Sequence, residues 1–510
     1  MKLILCLALV VLGADEGTDL GSPKYKVSPD LPLGWRGDGT GRFPGATPPL
    51  TWERARQGNG YTARNVIWAT PLPPVGISSP IVVGGRVFVT AGFTDLVCLD
   101  KATGRILWLR SHPEVEALTP EERKAEPAYA AKVDPLLPKL LQANSEVVEA
   151  LNAQAATALT SAPRAPEAIA RKKAIEKEIR DALTSIDRKK FSGNWAQAIY
   201  GYCTETPASD GKHVCALFAT GVSACYDLDG NRKWIARGAI GGEEKGHYSS
   251  PAIAGRQFVV WGDPEIRGYD VETGRLLWTN PAKGSNCGSI VRLRAGGEWV
   301  AGVQTSCFVR LRDGRPIWKG ADLNYQFTTS IVEGDTLYAW SPGGNKEFKA
   351  WKMPAGEGGQ VQPKLTFKKP EWAADELAGK FEKGDLNASP LYVDGLIYQL
   401  YCGGGLAVLD AATGEVVYRK VLPMKARTEY WGWGGASASP ALAGKRIYLM
   451  DNQGTTVVIA PGRQYKELAV NRIAESQDGQ TQVQNLASPF FEGTRLYYRS
   501  AGHLYCIGER

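Results

Sequence analysis

The residues best equipped for chemistry recur in one phase of the chain, six times, each just ahead of a Ser-Pro step or its variant. They are His247 and Tyr248 in GHYSSP, Asn286 and Cys287 in SNCGSI, and Asn324, Tyr325 and Gln326 in LNYQFTTS. Asp385 and Asn387 follow in GDLNASP, then Glu429, Trp431 and Trp433 in EYWGWGGASASP, and Gln484 and Asn485 in QVQNLASP. Side-chain amides beside flat aromatic faces suit a peptide, a sugar or a planar ring. His247, Tyr248, Asn286, Asn324, Gln326, Asn387, Glu429, Trp431, Trp433 and Asn485 are therefore the expected ligand- or partner-binding residues. The same side chains can instead tie one loop to the next repeat, with Trp431 and Trp433 filling a channel.

Signatures of catalysis and of metal binding are missing. The four histidines, His112, His213, His247 and His503, make no His-x-x-x-His pair, and there is no Cys-x-x-Cys for zinc or for covalent haem. Neither a Gly-x-Ser-x-Gly elbow nor a Gly-x-x-x-x-Gly-Lys-Ser/Thr phosphate loop is present. No residue is assigned to catalysis and none to a metal. The net charge of +7 comes without a long basic run, which argues against a nucleic-acid partner.

Lys2 precedes an apolar run to Leu12, then Gly13, Ala14 and two acidic residues. That order reads as a signal peptide over residues 1–14 and predicts export to a periplasm or the cell exterior. The run is too short to span a bilayer and no other segment approaches the required length, so no transmembrane segment is expected, only peripheral association with an envelope. Beyond the signal, eight cysteines remain: Cys98, Cys203, Cys215, Cys225, Cys287, Cys307, Cys402 and Cys506. Their even number is compatible with disulfides in an oxidising compartment and equally with buried thiols.

The elements that must position the polar stretches are read from a repeat. Residues 78–108, SSPIVVGGRVFVTAGFTDLVCLDKATGRILW, return as SSPAIAGRQFVVWGDPEIRGYDVETGRLLW from Ser249 and as ASPLYVDGLIYQLYCGGGLAVLDAATGEVVY from Ala388. Weaker copies start at Thr206, Ser289, Ser330, Ser439 and Ser488. The turn glycines at 104, 230, 274, 314, 356, 414 and 462 are mostly spaced as one four-stranded blade requires. The expected fold is all-β: an eight-bladed propeller of four-stranded antiparallel blades over residues 65–510, preceded by an extended segment, 15–64.

The last repeat lacks a fourth strand, and Val66 to Thr70 supplies a matching one from the other end of the chain, which predicts ring closure and loss of exposed sheet edges. The aromatic at each repeat's end (Trp68, Trp108, Trp234, Trp278, Trp318, Tyr418) is expected to wedge neighbouring blades. The 126-residue step between Gly104 and Gly230 holds an insertion, 113–190, between the first and second blades. It is rich in Ala and free of Gly and Trp. Thr119-Pro120-x-Glu122 marks a helix start, and Leu137, Leu141, Val148, Leu151, Ala155 and Leu159 mark a face. With Ile175, Ile179, Leu183 and Ile186, this predicts a helical hairpin projecting from the ring.

LVCLDKATGRILW, IRGYDVETGRLLW, LAVLDAATGEVVY and the opening GWRGDGTGRFPG resemble the PQQ-like repeat propellers, the group containing quinoprotein alcohol dehydrogenases and BamB-like secreted bacterial proteins. The resemblance covers the chain from about Leu33 to Arg510 outside the insertion. It implies the propeller fold and admits two functions. Quinone enzymes of that group use an adjacent cysteine pair, a calcium ligand set and a catalytic Asp; the cysteine pair is absent here. The expectation is thus a non-catalytic, exported module that binds a protein or carbohydrate partner and carries no cofactor. The alternative is a divergent oxidoreductase with PQQ on Trp431 or Trp433 and calcium at Asp385 or Glu429.

Overall fold

The structure is a computed structural model that describes residues 19–509, except 75, 162–166, 192–202, 239–248, 263, 283–287, 304–306, 319–327, 342–346, 373–385, 427–434 and 476–485. Residues 1–14, expected to form a signal peptide, lie outside it.

Each repeat becomes an antiparallel meander. In the first, Ile81–Val83, Arg86–Ala91, Asp95–Asp100 and Ile106–Ser111 follow one another from the axis outward. The middle strands are apolar on both faces, because each sheet is covered by a neighbour on either side; Val87, Phe88, Val89, Leu96, Val97, Cys98 and Leu99 are all fully buried. The Asp-x-x-Thr-Gly turn closes on itself. Asp100 accepts from the Thr103 amide at 2.8 Å and its hydroxyl at 2.7 Å, and Asp270 repeats this with Thr273. The Thr103 hydroxyl, with neighbouring amides, holds the Asp100 carboxyl below its usual range.

The fourth-strand tryptophans lock successive sheets, as their spacing predicts. Trp68 donates its indole N–H to the Lys101 carbonyl at 3.2 Å, Trp108 to Leu228 at 3.3 Å, Trp234 to Val271 at 2.8 Å, Trp278 to Leu311 at 2.7 Å and Trp318 to Gly356 at 2.8 Å. The turn glycine makes the seat. Gly274 has φ +71°, and a Cβ there would stand 2.4 Å from the Trp234 ring, so both the backbone and the neighbour's indole demand glycine.

At the axis, hydroxyl side chains join the inner strands into a circle. Backbone amides of Ser79, Thr206, Ser289, Thr329, Ser389, Ser439 and Ser488 donate to the side-chain oxygens of Thr206, Ser250, Thr329, Ser389, Ser439, Ser488 and Ser79 in turn, at 2.8–3.2 Å. Between Ser250 and Ser289 the link is instead Ile290 N–H to the Ser250 carbonyl at 3.3 Å. Closure is covalently asymmetric: Val66–Pro71 pairs antiparallel with His503–Ile507, placing Trp68 opposite Cys506.

The expectation of eight four-stranded blades needs correction. Among the described residues seven sheets are four-stranded, whereas the remaining one has seven strands. The residues expected to be merely extended, 15–64, account for the difference. Arg42–Phe43 pairs parallel with Ala441–Ala443 on the inner edge, and Glu53–Gln57 with Gly60–Arg64 extends the outer edge beyond Glu467–Ile473.

Several helices occupy the insertion. Pro120–Ala125 starts with the expected box, Thr119 and Glu122 capping each other, and two long helices, Leu137–Ala155 and Glu167–Ile186, pack together. They do not project as predicted. Leu137–Ala155 lies along the outer strands Ile106–Ser111 and Val66–Pro71, and Asn152 presents its amide to both backbone groups of Ile106, at 2.8 and 3.0 Å. A side chain thus occupies a sheet edge that would otherwise be open. Contact on two sides rotates the buried face: Leu140, Ala143, Val147 and Leu151 are covered, whereas Leu141, expected inside, is 63% exposed. Lys172 anchors the second helix. Its ammonium reaches both oxygens of Asp95 at 2.9 and 2.8 Å and also pairs with Glu176, with Lys172 and Asp95 almost wholly enclosed.

Candidate binding cleft

Nine of the ten sequence-predicted binding residues, His247, Tyr248, Asn286, Asn324, Gln326, Glu429, Trp431, Trp433 and Asn485, lie outside the described residues. Asn387 is described, and it ties one repeat to the next, its amide donating to the Ser437 hydroxyl at 3.1 Å. Asp385, the calcium residue of the alternative reading, is also outside. Among the described residues no cluster of three or more His, Cys, Asp or Glu side chains is placed to hold a metal ion. All four residues named for calcium and PQQ in the alternative reading, Asp385, Glu429, Trp431 and Trp433, lie outside the described residues.

A concave site lies at the opposite end of the inner strands, where the amino-terminal segment crosses the ring. Leu33 bridges to Ser209, the edge of the second sheet. Arg36 then enters the axis, donating to the carbonyls of Pro390 at 2.9 Å and Pro440 at 2.7 Å, directly after two members of the hydroxyl circle. Arg36 has φ 54°, and Gly41, at φ +74°, leaves space beside the guanidinium, since a Cβ would stand 2.4 Å from Arg36 Nε. The GWRGDGTGRFPG opening is thus a stopper that binds across the sheets. From the fourth sheet, Arg292 donates to the Pro32 carbonyl at 2.9 Å and the Ile253 carbonyl at 3.1 Å, and Arg42 pairs with Glu333 at 2.9 Å.

Between this segment and the fourth sheet is a cleft of about 600 Å³, within the range of small-ligand sites. Asp19, Asp30, Asp38 and Thr40 supply acceptors and a hydroxyl, Tyr25 and Trp299 supply rings, and Leu20, Leu31 and Leu442 supply apolar wall. Asp38 accepts from the Thr40 amide at 2.9 Å and hydroxyl at 2.6 Å, fixing its orientation. Burial, reinforced by the Asp38 charge, pushes the Tyr25 phenol up to about 12, which keeps it a hydrogen-bond donor at neutral pH. Burial also pushes Arg292 down, against the attraction of Asp38 and Tyr25. Arg294 lies over the Trp299 ring at 4.1 Å and pairs with Asp30 at 3.4 Å. The cleft therefore joins a carboxylate, Asp38, oriented by Thr40 to an aromatic platform already backed by a cation.

Sequence reasoning missed these residues. They are spread over an opening segment and one strand hairpin, with no common phase. The available signal was density: Asp30, Trp35, Arg36, Asp38 and Arg42 fall within thirteen residues that no repeat explains.

Comparison with known proteins assigns the architecture. The family profile described as outer membrane protein assembly factor BamB matches residues 60–154, 144–357 and 266–509. No curated protein matches the sequence. Among solved structures, quinohemoprotein alcohol dehydrogenase from Comamonas testosteroni is similar over 87% of this chain and 76% of its own, at 12% identity and a TM-score of 0.51. BamB from Moraxella catarrhalis is 14% identical over 58% of this chain and 82% of its own, with a TM-score of 0.41. The computationally designed Ika8 protein is 11% identical over 85% and 96%, with a TM-score of 0.48. At these identities the structures speak to the fold alone. With the repeat, the indole locks and the family match in agreement, the chain belongs to the PQQ-like repeat β-propellers, in the outer membrane protein assembly factor BamB family.

Proposed function

We propose that this chain is an exported, non-catalytic binding module, acting in a periplasm or outside the cell on a protein or carbohydrate partner. The observation that carries the reading is the cleft lined together by Trp299, Tyr25, Asp19, Asp30, Asp38 and Thr40. Sugars and peptides are recognised by this combination, a flat apolar face with fixed acceptors around it. The apolar start of the chain and the family's BamB description support export and a scaffold role.

Arrays of cell-envelope oligosaccharides and of peptides, probed with the native chain and with Trp299→Ala, test the reading. Expected is retention of at least one class by the native chain and at least a tenfold loss in the variant. Equal binding by the two proteins, or no binding by the native chain, overturns it. A thermal melt with PQQ and Ca²⁺ addresses the alternative function: at a hundred times the dissociation constant a bound ligand raises stability by about 2.7 kcal/mol, and such a shift would favour a quinoprotein.

A further inference from the structure

Cys215 and Cys225 stand directly opposite each other on the adjacent antiparallel strands His213–Leu217 and Val222–Asp227 of the second sheet. Which type of pair they form follows from the turn between them. The Phe218 N–H donates to the Val222 carbonyl at 2.9 Å, so Phe218 and Val222 form a hydrogen-bonded pair. Alternation then makes Leu217 with Ser223 non-hydrogen-bonded, Ala216 with Ala224 hydrogen-bonded, and Cys215 with Cys225 non-hydrogen-bonded. The first sheet gives the same answer independently. There Lys101 N–H donates to the Gly85 carbonyl, which makes Phe88 with Cys98, the positions equivalent to Cys215 with Cys225, non-hydrogen-bonded.

In such pairs the Cα atoms lie roughly 4.5 Å apart with the side chains turned toward each other. A disulfide spans Cα separations of about 4.4–6.8 Å, so no strand has to move for one to form. Both side chains point into the seam with the third sheet, fully buried beside Phe258, Tyr269 and Val271, and the Cys225 thiol contacts the Val271 carbonyl at 3.5 Å. Among the other described cysteines that lie in strands, Cys98, Cys307 and Cys506 stand opposite residues other than cysteine.

We propose that Cys215 and Cys225 are an oxidation site, joined by a cross-strand disulfide when the chain folds in the presence of a disulfide-bearing exchange partner. One thiolate attacks a sulfur of the partner disulfide, forming a mixed disulfide and releasing one partner thiol. The second cysteine's thiolate then attacks the protein sulfur and releases the other partner thiol. The two cysteines lose two electrons together, the partner disulfide gains them, and the two cysteine protons end on the released thiols. Burial of both sulfurs sets the timing: exchange occurs before the second and third sheets pack, and the folded thiols are closed to it afterwards.

The test refolds the full chain with oxidised and reduced glutathione, blocks free thiols under denaturing conditions without reductant, and maps the peptides by mass. Expected is a linked pair containing Cys215 and Cys225, two hydrogens lighter than the reduced pair, with the other cysteines blocked. A chain first folded in reductant and then exposed to the same glutathione mixture should stay reduced at both positions. Full blocking of Cys215 and Cys225 after oxidative refolding, or pairing of either with a different cysteine, overturns the proposal. The Cys215→Ala/Cys225→Ala variant supplies a second readout. Its refolding yield should be indifferent to the glutathione ratio while that of the native chain rises with oxidised glutathione; equal dependence in both counts against the site.

Discussion

Replacing Lys172 by Met isolates the ionic anchor between the inserted helices and the ring. Methionine keeps most of the aliphatic stem, so the packing against the first sheet is largely retained and the ammonium is what disappears. The Lys172 and Asp95 side chains are 5% and 0% exposed, and burial alone would lower the lysine pKa; Asp95 and Glu176 outweigh it and raise the value. Among the described residues, the Asp95 carboxylate would keep the Ser111 hydroxyl, at 2.5 Å, as its side-chain donor. Removing one partner of a buried pair costs about 3–5 kcal/mol because the other charge stays enclosed. At about 1.4 kcal/mol per decade, that raises the open population of the helical insertion by roughly two to three and a half powers of ten. Native-state proteolysis reads this population when closing is faster than cleavage. Cleavage within residues 137–186 should accelerate by that factor, while hydrogen exchange in the fourth and fifth sheets stays unchanged. Lys172→Met/Asp95→Leu, which leaves only Glu176, whose carboxyl burial already pushes up toward its neutral form, should recover most of the protection. An acceleration below about threefold in the single variant, or a double variant as open as the single one, would refute the argument that the charge pair holds the helices down.

Three other outcomes follow from the same physics. Arg36→Met strips the Pro390 and Pro440 carbonyls of their donor, and at about 1–3 kcal/mol for each buried unpaired group the melting temperature should fall; an unchanged melt would show that the stopper is not held by these bonds. Burial, working against Arg237, pushes Glu114 up to about 7 from an ordinary 4.5. A raised carboxyl pKa adds stability that is complete below about pH 4.5 and disappears as pH rises through about 7, up to about 3 kcal/mol; denaturation midpoints of Glu114→Gln should lack this decline. His112 is the opposite case. Burial drives it down to about 3, with Nδ1 at 2.8 Å from the Thr94 carbonyl and Nε2 at 2.8 Å from the Tyr226 hydroxyl, so its contribution is present above about pH 6.5 and shrinks as pH falls toward 3. The His112→Gln variant should have a flatter acid limb, and an identical limb would show that another group carries the acid sensitivity.

The fold was legible wherever one residue served one local purpose repeatedly. Asp100, Thr103 and Gly104 build the same turn as Asp270, Thr273 and Gly274, so a single pattern announced strand, turn and strand. The role of Gly274 as a seat for Trp234 was not readable, because the indole comes from a different repeat forty residues earlier. The three added strands at residues 42–64 escaped for a related reason: Arg42 and Phe43 are a strand only by virtue of Leu442 and Ala443 beside them. The helical insertion was visible in its composition, yet its orientation was not. Leu141 and Leu140 have equal hydropathy, and only the position of the outer strands decides which is covered. At the site, the repeated amide-rich phase drew attention to one end of the ring, while Arg292 and Trp299, which sit inside an ordinary strand pattern, gave no sign that Tyr25 and Asp38 would be brought to them.

The pairing of Val66–Pro71 with His503–Ile507 also sets a timetable. At about 5–20 residues per second, the 441 positions between Val66 and Ile507 take roughly 20–90 seconds to synthesise. Throughout that interval the sequence VIWATP has no partner strand, although hairpins form in about 1–10 μs and the early sheets can mature at once. A nascent chain therefore carries an apolar, unpaired ribbon until residues 503–507 follow it. Emergence of residues 503–507, rather than any slow step in the sheets themselves, becomes the event that permits the circle to shut, and a holdase that shelters residues 66–71 until then should raise the yield of closed molecules more than one acting on any later strand.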